Sequence, residues 1–275
     1  MAEPVGDETE LKVEGSGAQE SKARRAADVV YRQAGPWSAT TLALLRHLEA
    51  VGFDAAPRVV GSGVAPDGRE MLQFVPGEPP QPQRWSDEAV GEVGRLLAEL
   101  HRATASFVAP ADAVWQPWFG RALPGRDPVI SHNDLGPWNV VARHGRPVAF
   151  VDWEFAGPVD AVWDLAHTAW LNAQLHDDDI VERHGLGSAA ERARQLALIL
   201  DGYGLERRRR EGFVDKMIDF AVLSARHEAV LAAVTPESEA VDERGYPVLW
   251  AVTWRTRSAA WMIENRARLE AAVAA

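Results

Sequence analysis

The chain has 275 residues, 47% hydrophobic and 25% charged, which is ordinary for a soluble globular protein and enough for one large or two small domains with a sizeable core. A formal net charge of −11 argues against nucleic acid as the main partner, since phosphate binding needs a basic surface, and leans toward a cationic small molecule. The absence of cysteine excludes disulfides, thiol nucleophiles and Cys-ligated zinc; no apolar run reaches the length of a membrane span, and the acidic start MAEPVGDETE has no apolar centre, so a cytoplasmic protein is expected.

Residues 1–10 are polar and aperiodic and read as a frayed tail. Gly15-Ser16-Gly17 is either a flexible linker or a glycine-rich turn whose amides approach phosphates. ESKARRA and DVVYRQ read as strands joined near Ala27-Asp28, and Gly35-Pro36 ends the second. Ser38 is expected to N-cap a helix with Leu42, Leu44, Leu45 and Leu48 inward and Gly52 at its end. Two further strands flank the Pro66-Asp67-Gly68 turn. Pro79 to Gln83 is a stiff extended linker, and the boundary between a strand-rich part (11–78) and a helical part (86–275) is placed across 79–85.

Ser86, with Asp87 and Glu88 behind it, opens a helix that turns Val90, Val93, Leu96, Leu97 and Leu100 inward. His101 reads as packed or solvated rather than as a metal ligand, because no partner lies at i+4. The stretch SHNDLGPWNVVARHGRPVAFVDWE, 131–154, carries the chemistry. His132, Asp134 and Asn139 stand in the pattern H-x-D-x-x-x-x-N of a kinase catalytic loop, in which the Asp accepts the proton of the attacking hydroxyl and the Asn holds magnesium. VVAR and PVAFVD form a hairpin around His144-Gly145-Arg146 that brings Asp152 back beside Asn139, offering a second hard oxygen to the same ion. The competing reading makes Asp134 and Asn139 plain Asx-turn residues.

Beyond that stretch, Val162, Leu165, Ala166, Ala169 and Trp170 mark an amphipathic helix. Asp177-Asp178-Asp179 with Glu182 is either a solvated loop or an acidic patch facing a polyamine. Ser188 and Glu191 form a capping box, and Gly202 and Gly204 are expected to stop the helix it opens. Arg207 to Arg210 reads as a solvated helix start. Helical spacing then dominates to the end, with Phe213, Met217, Phe220, Leu223, Trp250, Trp254 and Trp261 as core. The whole is an α+β arrangement.

HNDLGPWN followed by AFVDWEFA and PVDAVWDLAHTAW resembles the aminoglycoside phosphotransferase family, relatives of choline and fructosamine kinases. The resemblance covers roughly Val29 to Trp170 and fades where such families vary with their acceptor. It implies a protein-kinase-like two-lobed fold: a small antiparallel sheet with one helix, then a mainly helical lobe. It also implies a small-molecule O-phosphotransferase using ATP or GTP and Mg2+ on an aminoglycoside-type or similar acceptor, as in antibiotic resistance. A choline- or sugar-amine-type kinase and a catalytically silent ligand-binding protein are the alternatives.

The resemblance makes Gln73, Phe74 and Val75 the hinge whose main chain meets the adenine, although the same residues also read as an edge strand. It makes Asp164 a support of the catalytic loop, Glu154 an acidic residue near the acceptor, and His132 a brace. The chain departs from the family in the small lobe, where a strand lysine pairs with a helix glutamate. Arg32 falls at the lysine position, with Lys22 the other candidate, and Thr41 falls at the glutamate, so ATP affinity is in question.

Overall fold

The computed structural model describes residues 9–10, 23–80, 83–235, 238 and 248–275. The Gly15-Ser16-Gly17 turn, Lys22 and part of the 79–85 linker lie outside them. Strands β1 (Thr9–Glu10), β2 (Ala23–Ala26), β3 (Val29–Arg32), β4 (Val59–Val64) and β5 (Glu70–Gln73) form one antiparallel sheet in the order β1-β2-β3-β5-β4. Thr9 and Glu10, expected in the tail, instead pair with Arg25 and Arg24, so that β2 does not present an open edge. Helix α1 (Ser38–Ala50) buries Leu42, Leu44, Leu45 and Leu48. Trp37, not Ser38, precedes its first turn; the Ser38 hydroxyl accepts from the Gly35 amide at 2.9 Å and closes the entry turn.

The chain leaves this lobe at Gly77. Its φ of 144° and its closeness to the Ala142 carbonyl, 2.5 Å from where a Cβ would stand, admit only glycine. Glu78 then exchanges both backbone hydrogen bonds with Ala142 (3.0 and 2.8 Å), tying the crossover to the second lobe.

That lobe is built from α2 (Asp87–Thr104), α3 (Ala161–Asn172), α4 (Asp178–His184), α5 (Ala189–Tyr203), α6 (Phe213–Leu231), α7 (Val248–Glu264) and α8 (Arg266–Ala274). Two antiparallel pairs join them: β6 (Pro128–Ser131) with β9 (Gly157–Asp160), and β7 (Val140–Arg143) with β8 (Arg146–Phe150). Ser86 caps α2 by accepting the Ala89 amide, and Ser188 with Glu191 caps α5 reciprocally. Gly202 does not stop α5. It is where α5 meets α2, and a Cβ there would stand 2.0 Å from the Gly91 carbonyl, while one on Gly94 would stand 2.1 Å from that of Ile199. Gly94→Ala should therefore force the two helices apart and cost about 1–3 kcal/mol. A urea midpoint equal to that of the unmodified chain would show that the helices slide to accommodate the methyl group.

A continuous core runs from α1 through Trp85, Leu97, Phe150, Trp153 and Trp170 to Phe213, Phe220 and Trp261. Trp250, expected inside, is 37% exposed at the start of α7. Arg210, expected in a solvated helix start, is buried: it donates to the Leu205 carbonyl and pairs with Asp201 at 2.5 Å, joining α5 to the turn before α6. Among the described residues no helix is long and apolar enough to cross a membrane.

Candidate active site

The hairpin β7–β8 turns through His144 (φ 52°) and Gly145 (φ 75°), two successive left-handed residues of the kind that match the twist of paired strands. Its return is closed at the base, where the Val151 amide donates to the Asn139 carbonyl at 2.9 Å. Asp152 follows at φ 66°, ψ 61°, a conformation a non-glycine residue holds only when its surroundings fix it. Trp153, fully buried and donating from Nε1 to the Phe150 carbonyl at 2.8 Å, is the anchor that fixes it.

Asp134 and Asn139 are in direct contact. The Asn139 amide donates both to the Asp134 carboxylate (2.9 Å) and to its main-chain carbonyl (2.8 Å), which leaves Asn139 Oδ1 as the oxygen a cation could use. His132 lies beneath, buried, donating from Nε2 to Val151 O (2.8 Å) and accepting the Asp134 amide at Nδ1 (3.3 Å). Acceptance at Nδ1 needs a neutral ring, and burial lowers its pKa to about 4. Asp134 itself is half-buried. Loss of solvation, and then the charge of Asp152, raise its carboxyl to about 8, against the pull of Arg255 from α7.

Arg32 reaches from the end of β3 to Asp152, 2.7 Å from Oδ1, and stands 3.6 Å from Glu154. Burial works against its charge, but Asp152, Glu70 and Glu154 outweigh that and keep its pKa above the ordinary value. A guanidinium thus occupies the place of a cation on Asp152. Among the described residues no three His, Asp or Glu side chains gather closely enough to hold a metal by themselves. One carboxylate and one amide oxygen do suit an ion that brings phosphate and water oxygens with it, as magnesium does.

At the crossover, the Gln73 and Phe74 amides already donate to Arg58 O and Asp28 O at 2.8 Å. Those two donors are thus used within the small lobe, where β5 lies between β3 and β4 and not at the sheet edge, and of the three residues only Val75 has an amide that meets no acceptor among the described residues.

Asp164 is buried on α3. Its Oδ2 accepts from Ser131 Oγ (2.7 Å) and His101 Nε2 (2.9 Å), while His101 Nδ1 accepts the Tyr203 hydroxyl (2.8 Å). Despite its burial, these bonds hold the Asp164 carboxyl below the usual range. His101, read only as packed or solvated, is a full member of this network.

Three residues that no motif marked also shape the site. Asn133 (φ 69°) donates to Phe155 O and Gly157 O, and so ties the turn before Asp134 to the segment after Asp152. Arg121 holds the same segment from outside, through Phe155 O (2.8 Å) and Ala156 O (3.1 Å), with burial lowering its pKa to about 10. His167, one turn after Asp164, stacks on Phe220 at 4.4 Å. The only hint in the sequence was position: Asn133 and His167 lie within one turn of a motif residue, and Arg121 follows closely on Trp115 and Trp118.

The acidic run is tied up by arginines. Asp177 and Asp179 both pair with Arg257, and Asp178 with Arg192, while Asp177 caps α4. It reads as neither a bare solvated loop nor an open acidic patch.

His167 and His176 are neutral in the fold, burial lowering their pKa values to about 4 and about 3, whereas an unfolded chain protonates histidine near 6.5. Between those values the unfolded state binds more protons, so stability must fall as pH drops from 6.5 toward 4, by about 1.4 kcal/mol per ring per pH unit. His132 adds to this slope, and Asp134, protonated in the fold up to about 8, subtracts one proton from it. Urea midpoints measured from pH 7 to 5 should decline, and less steeply in His176→Gln. Equal slopes would mean that the ring is hydrated in solution.

A family model described as "Phosphotransferase enzyme family" matches residues 104–213. The chain is 54% identical over 259 residues to the trifolitoxin immunity protein of Rhizobium leguminosarum bv. trifolii, covering 94% of this chain and 97% of that protein. Its fold is similar to that of a choline/ethanolamine kinase family protein from Mesorhizobium loti (TM-score 0.59, 18% identity, 98% of this chain and 92% of that one). It is similar too to amicoumacin kinase hAmiN in complex with AMP-PNP, Ca2+ and Ami (TM-score 0.61, 14% identity, 92% and 88%). At such identities the likeness concerns the fold, which is the two-lobed protein-kinase-like one.

Proposed function

We propose, since this chain belongs to the phosphotransferase enzyme family, that it transfers the γ-phosphoryl group of a nucleoside triphosphate to a hydroxyl of a small antimicrobial compound. The observation that carries this reading is the contact of Asp134 with Asn139 beside the returning Asp152, on a loop braced by His132. Bound nucleotide supplies the phosphoryl group, and a divalent cation held by Asn139 Oδ1 and Asp152, magnesium by its preference for such oxygens, supplies positive charge against it.

Asp134 orients the acceptor hydroxyl and takes its proton through the carboxylate oxygen that Asn139 leaves free, as oxygen attacks phosphorus and the bond to the nucleoside diphosphate breaks. A carboxyl titrating near the working pH is well matched to that exchange. Arg32 carries the charge that binds phosphate oxygens, and Val75 offers the hinge amide for the nucleobase. Asp164 acts through Ser131 and His101 as a support, and Glu154 lines the acceptor side.

The acceptor reading is supported by the 54% identical trifolitoxin immunity protein and by fold neighbours that include an amicoumacin kinase and a gentamicin-bound aminoglycoside phosphotransferase. An aminoglycoside-type amino sugar remains the first compound class to try, although the arginine-paired acidic run lends a polycation no support. The silent-binder reading has one observation in its favour, the Arg32–Asp152 ion pair. The protein should be incubated with Mg2+ and ATP or GTP over a panel of aminoglycosides, macrolides, choline and trifolitoxin, and the products weighed by mass spectrometry. Phosphorylated product on one antimicrobial class, lost in Asp134→Ala, supports the reading. Product on choline alone, or on none of the panel, overturns it.

A further inference from the structure

Arg32 is surrounded by three carboxylates that differ in where they come from. Asp152 and Glu154 belong to the loop after β8, and Asp152 is the carboxylate assigned above to the cation. Glu70 belongs to the other lobe. It opens β5 directly opposite Arg32 in the β3–β5 register, and it is only 6% exposed. Residues facing each other across an antiparallel pair project on the same side of the sheet, so Glu70 stays beside the stem of Arg32 whatever the guanidinium does.

Helix α1 offers nothing comparable. Thr41 is buried with a hydroxyl that meets no partner among the described residues, and the helix's acidic residue, Glu49, is exposed at the far end.

We infer that Glu70 is the positioning residue that keeps Arg32 directed at the nucleotide phosphates, in place of a helix carboxylate, once Arg32 has given up Asp152. This rests on the phosphotransfer reading of the cleft. A divalent ion on Asp152 and a guanidinium 2.7 Å from its Oδ1 repel each other, so loading the site must displace Arg32. The phosphates that arrive with the ion lie beside Asp152 and offer a guanidinium new bidentate partners. After that exchange Glu70 is the one carboxylate of the three that neither belongs to the loop nor faces the ion.

The test is the affinity of the whole chain for ADP and for a non-hydrolysable ATP analogue, by calorimetric titration with and without Mg2+. Removing a negative charge near a polyphosphate should by simple electrostatics tighten binding. A positioning role makes Glu70→Gln weaken the Mg2+-bound complexes instead, by roughly tenfold, the scale of one bond to a charged group. In an Arg32→Met background the same substitution should change nothing further, and circular dichroism of each variant reports that it folds. Unchanged or tighter binding in a folded Glu70→Gln, with the unmodified chain binding Mg2+-nucleotide normally, would overturn the inference and leave the proposed function standing. An unmodified chain that binds no nucleotide would bring down both.

Discussion

Asp134→Asn should lower kcat by roughly 10²–10⁴-fold while nucleotide affinity and fold persist. The substitution keeps shape, and the new side-chain carbonyl can still accept from the Asn139 amide that holds Asp134 at 2.9 Å. What it removes is the ability to accept the hydroxyl proton. It also removes a charge that the site resists: loss of solvation and the nearby Asp152 already raise the Asp134 carboxyl to about 8. As pH rises from about 4, where the unfolded chain ionises this carboxyl, to about 8, where the fold does, the group costs stability that a neutral side chain does not, so at neutral pH the variant should melt at the same temperature as the parent or higher. A catalytically dead protein of undiminished stability is the signature of a residue kept for chemistry rather than for structure. Retained turnover with the acceptor would remove Asp134 from the mechanism, and a lowered melting temperature would mean that its carboxylate is structural.

The sequence was most legible where local rules act alone. The Ser86 and Ser188 caps, the Pro66-Asp67-Gly68 turn and the β7–β8 hairpin each depend on a few neighbouring residues, and each forms where those residues predict. The spacing of Asp134, Asn139 and Asp152 was legible because a short hairpin converts separation along the chain into proximity. Contacts between distant segments were not legible. Nothing in the order of residues says that Gly202 meets Gly91, that Arg210 is buried under α8, or that Thr9 and Glu10 find an open strand edge. Glu70 was missed for the same reason: a carboxylate on a strand is an ordinary surface residue until the register puts it opposite Arg32. Arg121 and Asn133 hold main-chain carbonyls, and main-chain partners leave no mark in a sequence.

The long-range network around Asp164 should carry the largest stability effect in the molecule. Asp164 is fully buried, and one oxygen takes hydrogen bonds from Ser131 (2.7 Å) and His101 (2.9 Å), joining α3 to the strand that enters the catalytic loop and to the end of α2. Asp164→Ala leaves both donors buried without an acceptor, and breaking such a pair costs about 3–5 kcal/mol. In a chain of this size that corresponds to a melting temperature lower by about 10 °C. Asp164→Asn separates charge from shape: its remaining carbonyl can serve one donor while its amide opposes the other, so it should fall between the parent and the alanine variant.

The effect should also reach catalysis without touching substrate. Ser131 precedes His132, whose two hydrogen bonds set the amide of Asp134 and the base of the hairpin. Turnover at a temperature where Asp164→Asn is still folded should therefore drop, with nucleotide affinity kept, because Arg32 and Val75 lie on the other lobe. Adding His101→Ala to Asp164→Ala should cost much less than the sum of the two single changes, since both remove the same bond. Strict additivity would dissolve the network into separate packing contacts, and the catalytic loop would then have to be held by Asn133 and Arg121 alone.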